Sequence, residues 1–100
     1  MTDRNAHRQY SIRETKQYRR DVRRVVKSGF DLTKLEAVID ILATGVTLPG
    51  KYMDHELKGT LAGIRECHIG PDWLLLYTRD RPGLILILTR TGTHSRLFNE

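Results

Sequence analysis

A chain of 100 residues with 39% hydrophobic and 29% charged side chains fits one globular domain with a modest core, which excludes a disordered segment or a multidomain enzyme. Its longest apolar runs are of strand length, far short of the roughly 20 residues of a membrane helix, and the polar opening "MTDRNAHRQY" gives no expectation of a secretory leader. The net charge of +5 favours a polyanion or an acidic protein as partner.

That charge is unevenly placed. Residues 1–30 carry nine Lys/Arg against three Asp/Glu, whereas 31–100 carry eight against nine. Within a single domain over 1–100, residues 1–9 are expected to form a flexible extension, and His7 in it is given no role. "RQYSIR" alternates and predicts a short first strand. Thr15 is the natural N-cap of the helix that follows, with a capping box of Ser11 and Glu14 in competition. Tyr18, Val22 and Val25 recur at helical spacing and form its buried stripe. Lys16, Arg20, Arg23, Arg24 and Lys27 form a cationic stripe on another side. Gly29 in "KSGF" stops this helix. Asp31 caps a second one, whose apolar stripe is Leu35, Val38, Ile39 and Leu42. The short "SGFD" joint predicts a helical hairpin.

Beyond Pro49 the pattern changes. "GKYMDHELKGTLAG" reads as loop with some extended structure. "GIRECHI", "DWLLLYT" and "LILILTR" read as strands, the last two too apolar to expose either face fully. Gly70-Pro71 and "RDRPG" mark the turns between them. The expected fold is α+β, two helices on one face of an antiparallel sheet. Trp73 reads as core. Cys67 reads as a buried filler with no disulfide partner, which suits a reducing cytoplasm.

The remaining histidines, His55, His68 and His94, each sit at or beside a turn. A hairpin brings His68 and Asp72 together. If the last strand pairs beside the Trp73 strand, its C-terminal end delivers His94 to the same place, and His55 can join from its loop. Imidazoles both take and give protons near neutral pH. Arg65, Lys58 or Arg96 can neutralise a phosphate, and Phe98 can stack on a base. This set suits RNA cleavage through the ribose 2′-hydroxyl. No H-x-H, H-E-x-x-H or C-x-x-C spacing marks a metal site, so neither metal nor other cofactor is expected.

The stretch "DHELKG…GIRECHIGPDWLLLY…TRTGTHSRLF" closely resembles the YafQ-type toxins of the RelE/ParE superfamily, ribosome-dependent mRNA endonucleases of bacterial type II toxin–antitoxin systems. The family pattern is Asp-His before Leu-x-Gly, then Arg-Asp-x-His-x-x-Pro-Asp-Trp, then Thr-Gly-Thr-His with a Phe four residues on. The similarity runs from about Tyr10 to Phe98. It implies a RelE-like fold, a helical hairpin against a twisted antiparallel sheet. It implies a catalytic set of His55, His68, Asp72, His94 and Phe98, with Glu66 where the family carries Asp. It implies cutting in the ribosomal A site, with a 2′,3′-cyclic phosphate as product. It also implies a cytoplasmic protein with a cognate antitoxin, often of the ribbon-helix-helix type, and operator DNA reached only through that complex. On this reading the cationic first helix binds ribosomal RNA phosphates, and association weakens steeply with salt. Two other readings stay open: a superfamily toxin without RNase activity, of the gyrase-poisoning kind, and a basic nucleic-acid-binding module.

Overall fold

The computed structural model describes residues 9–98. In chain order its elements are β1 (Ser11–Glu14), α1 (Lys16–Lys27), α2 (Leu32–Ala43), β2 (His55–Glu56), β3 (Arg65–Gly70), β4 (Trp73–Asp80), β5 (Ile85–Gly92) and α3 (His94–Phe98). Helix starts follow local hydrogen-bonding chemistry. The Thr15 hydroxyl oxygen accepts the Tyr18 N–H at 2.9 Å, and the hydroxyl donates to the Thr89 carbonyl at 2.7 Å. One side chain therefore caps α1 and ties it to β5. The competing box is not used, because Ser11 and Glu14 are the ends of β1. Asp31 caps α2, accepting from the Thr33 N–H at 3.0 Å and the Thr33 hydroxyl at 2.7 Å. Gly29, at φ +86°, turns the chain between the helices.

The sheet runs β1-β5-β4-β3-β2. It is antiparallel throughout except at β1, which pairs parallel to β5. The expected antiparallel sheet is found, with one parallel pairing added at its β1 edge. Alternation of side chains fixes the faces of a strand but not the direction of its neighbour. No helix among the described residues is long and apolar enough to cross a membrane. The extension expected over 1–9 lies outside the described residues up to position 8. Gln9 is described, and its N–H donates to the Ala43 carbonyl at 2.9 Å.

Both helices bury their apolar stripes on one face of the sheet. Tyr18 and Val25 of α1 and Leu35, Val38 and Leu42 of α2 join Cys67, Ile69, Leu75, Tyr77, Leu86 and Leu88 in one core. Each fully buried Leu contributes roughly 1.5–3 kcal/mol of transfer free energy. Because strand side chains alternate, Glu66, His68, Leu74 and Leu76 point to the other face. Leu74 and Leu76 are buried there too, so the central strand β4 is covered on both sides. This explains its unbroken apolar run. The Trp73 indole N–H donates to the Thr91 hydroxyl at 2.9 Å, and its ring meets Phe30 edge to face at 4.9 Å. It is a core residue, as expected.

Candidate active site

The face away from the helices carries the chemistry. In register, His55 stands opposite Glu66 across β2 and β3. The Glu66 Oε1 atom is shared: His55 Nε2 lies 3.4 Å from it and His68 Nε2 lies 3.6 Å from it. β5 runs antiparallel to β4, with Gly92 opposite Leu74. The end of β5 therefore delivers His94 beside the start of β4. The His68 and His94 rings meet edge to face with centroids 5.7 Å apart. The three histidines and two carboxylates thus share one end of the sheet, and the turn expected to hold His94 is the first turn of α3.

Hydrogen-bond partners fix how two of these rings are presented. A carbonyl oxygen only accepts, so the 2.7 Å contact between His55 Nδ1 and the Met53 carbonyl places a hydrogen on Nδ1. His55 Nε2 then faces Glu66. Met53 adopts a left-handed backbone at φ +52°, which is uncommon outside glycine and concentrates at functional turns. Asp72 Oδ1 accepts both the His94 backbone N–H at 3.0 Å and the ring Nδ1–H at 2.8 Å. These two bonds, the backbone one first, hold the Asp72 carboxyl below the usual carboxylate range. Asp72 is thus an ionised group that orients the His94 ring.

Gly92 makes this approach possible. Its φ is +156°, and an added Cβ would lie 3.4 Å from Leu97 and 3.6 Å from Arg96. That backbone conformation, which residues with a side chain rarely adopt, lets α3 fold directly back on the strand. Phe98 closes α3 and is half-buried; Arg96 on the same turn is exposed. Arg96 and Arg24 of α1 line one small hollow with Gly92 and Thr93. Lys16, Arg20, Arg23, Arg24 and Lys27 are all exposed, and of these Arg24 shares the hollow beside Thr93, next to His94. Lys58 is exposed just after β2.

Arg65 does not join the cluster. It leaves β3 on the opposite face from Glu66, beside its partner Tyr77, and its guanidinium is bonded to Asp54 at 3.1–3.3 Å. The Tyr77 hydroxyl donates to the same carboxylate. Burial, then Asp54, push the Tyr77 hydroxyl above its ordinary value, so it remains a donor. Burial likewise pushes the Cys67 thiol up to about 12, which leaves it unreactive. Sequence reading missed the Asp54 anchor, although Asp54 stands in the "MDHELKG" motif, because its partners are distant in the chain. Replacing Tyr77 by Phe strips one donor from a largely buried carboxylate. It is expected to cost roughly 1–3 kcal/mol, read from the urea midpoint, and to lower activity several-fold, since Asp54 directly precedes His55. An unchanged midpoint would refute the anchor.

A donor set for a metal is also present. One oxygen of Glu66 and one ring nitrogen each of His68 and His94 lie within 4.8 Å of one another. Two imidazoles and a carboxylate suit zinc or copper. Linear spacing hid this set, because it is assembled from separate strands.

The comparisons agree with this geometry. The profile of the family described as bacterial toxin of type II toxin-antitoxin system, YafQ, matches residues 10–99. The mRNA interferase toxin YafQ of Escherichia coli strain K12 is 37% identical over 91 residues, covering 90% of this chain and 97% of its own length. The E. coli DinJ-YafQ toxin-antitoxin complex contains a chain that superposes with a TM-score of 0.82 at 37% identity, covering 90% of this chain and 98% of that one. A metal-bound toxin from Helicobacter pylori superposes with a TM-score of 0.83 at 45% identity, covering 89% and 99%. Fold, motif order and clustered histidines meet in one conclusion: the chain belongs to the YafQ family of type II toxin–antitoxin toxins.

Proposed function

We propose that this toxin is a ribosome-dependent endoribonuclease that cuts messenger RNA in the A site by attack of a ribose 2′-hydroxyl. The observation that supports this reading is the meeting of His68 and His94, far apart in sequence, with ring centroids 5.7 Å apart and a carboxylate beside each. The 2′-oxygen–phosphorus bond forms as the phosphorus–5′-oxygen bond breaks. One imidazole takes the 2′ proton and another supplies one to the departing 5′ oxygen, each transfer being worth roughly 10²–10⁴-fold in rate. Glu66 and Asp72 together face three imidazoles. Glu66 lies beside the His55 and His68 rings and Asp72 beside the His94 ring, so each imidazole has a carboxylate to orient it. Phe98 offers a ring on which a base can stack.

The exposed cations of α1, with Arg96 and Lys58, supply contacts to ribosomal and messenger phosphates. Such a protein works where translating ribosomes are, in the cytoplasm. The E. coli relative is seen in complex with DinJ, its antitoxin. By this likeness the chain takes a cognate antitoxin of its own, of the ribbon-helix-helix type, and reaches operator DNA only through that complex.

The Glu66, His68 and His94 donor set supports a second reading, a metal-dependent hydrolase. Primer extension on a translated message separates the two. Codon-phased cuts are expected with wild-type protein, and they persist under a chelator selective for transition metals that leaves ribosomal magnesium in place. Cuts lost in the chelator and restored by zinc or copper establish the second reading. An absence of RNA cuts with wild type rejects both.

A further inference from the structure

The mechanism above leaves one feature beside the cluster unused. On the far side of His68 a hollow of about 580 Å³ opens between α2, the 3₁₀ turn Gly50–Tyr52 and the outer edge of β3. Its volume is in the range of small-ligand sites. β2 pairs only with Arg65 and Glu66, so the edge of β3 from His68 onward is uncovered by any described strand. Ile69 and Gly70 of that edge line the hollow, with Lys34, Lys51 and Tyr52 around it. No acidic side chain lines it among the described residues. The Lys51 ammonium stands 5.1 Å from the centre of the Tyr52 ring. A second hollow shares Lys34, Gly70 and Pro71 with it and continues past Asp72 to Thr93. Together they form a groove that rounds the β3–β4 turn and touches the cluster at both His68 and Asp72.

We propose that this hollow is a subsite for the nucleotide flanking the scissile phosphate, and that it contributes to sequence preference. This proposal rests on the RNA-cleaving reading above. Its chemistry matches each part of a nucleotide. Pro71 and the Tyr52 ring offer apolar surface to a base. The edge of β3 at Ile69 and Gly70, which no described strand pairs, offers backbone hydrogen-bonding groups to the base edge. Lys34 and Lys51 offer two ammonium groups to the next phosphate. A chain whose scissile phosphate lies between His68 and His94 passes directly into it, since His68 lines both places.

The test sequences cut ends from a translated library of messages with wild type, the Lys34→Ala/Lys51→Ala double variant and Tyr52→Ala. The lysines are exposed, so the double variant is expected to fold. Melting of both variants is measured, because Tyr52 also packs on the core. Cleavage is expected to fall roughly tenfold in each. The preference at one position flanking the cut should flatten, while cuts stay codon-phased. A wild-type rate and cut profile in the double variant overturns the subsite and leaves the nuclease intact. No RNA cuts with wild type overturns the nuclease and the subsite with it.

Discussion

Replacing His94 by Ala is expected to lower RNA cleavage by roughly 10²–10⁴-fold with almost no change in stability. The two halves of this expectation have separate physical origins. The loss follows from position. His94 is the imidazole whose ring is held by an ionised carboxylate. Ala leaves no group there to carry a proton. Retained stability follows from burial and bonding. The His94 side chain is 38% exposed, and the backbone N–H that Asp72 accepts survives the substitution. Changes at such sites are usually within about 0.5 kcal/mol. Primer extension and urea unfolding on the same preparation measure both. Cleavage within a few-fold of wild type would remove His94 from the chemistry. A collapsed midpoint would make its role structural.

The largest effect on stability is expected at Asp21 of α1. This carboxylate is 1% exposed. It accepts from Arg90 through two bonds of 3.0 Å, from Gln17 at 3.0 Å and from the Thr91 N–H at 3.1 Å. Together these bonds lock α1 to the end of β5. Asp21→Ala removes four accepted hydrogen bonds at once and leaves Arg90 without its carboxylate. Breaking a buried pair in this way costs roughly 3–5 kcal/mol, a large share of the about 5–15 kcal/mol that holds a domain together. Acid should act in the same direction. Burial alone would raise the Asp21 carboxyl, but the bonds from Arg90, Gln17 and Thr91 outweigh it and hold the group below its ordinary value. A depressed carboxyl stabilises the fold fully above its unfolded value, near 3.9. That contribution is lost as pH falls through the folded value. The urea midpoint of wild type should therefore drop in acid more steeply than that of Asp21→Asn. Parallel pH curves, or a loss under about 1 kcal/mol in Asp21→Ala, would deny the clamp.

What the sequence disclosed and what it withheld divide along the range of the interactions. Thr15 and Asp31 could be read as caps because a cap is satisfied within three residues. The apolar stripes of α1 and α2 follow from helical periodicity. His68, Asp72 and His94 could be gathered on paper because antiparallel neighbours put the end of one strand beside the start of the next. Their shared location is a matter of pairing rules, not of any distant contact. Glu66 is different. Its place between His55 and His68 depends on the register of the two-residue strand β2, which has no periodicity to read. Arg65 looked available for phosphate, but the Asp54 and Tyr77 that hold it reach it only in the folded sheet. Asp21 carries no local signal in a basic helix, and only the partner on β5 shows why it is buried. The direction of β1 was also silent, since alternation is the same in either orientation.

The parallel pairing of β1 with β5 joins Ser11 to Ile85 and has a consequence for synthesis. A ribosome makes the first partner long before the second. Until β5 has emerged, β1 has no neighbour and β4 has one exposed edge, and His94 does not yet exist. Non-local pairing of this kind is slow to form. The histidine cluster is therefore assembled only after β5 and α3 have been made, long after β1 in chain order.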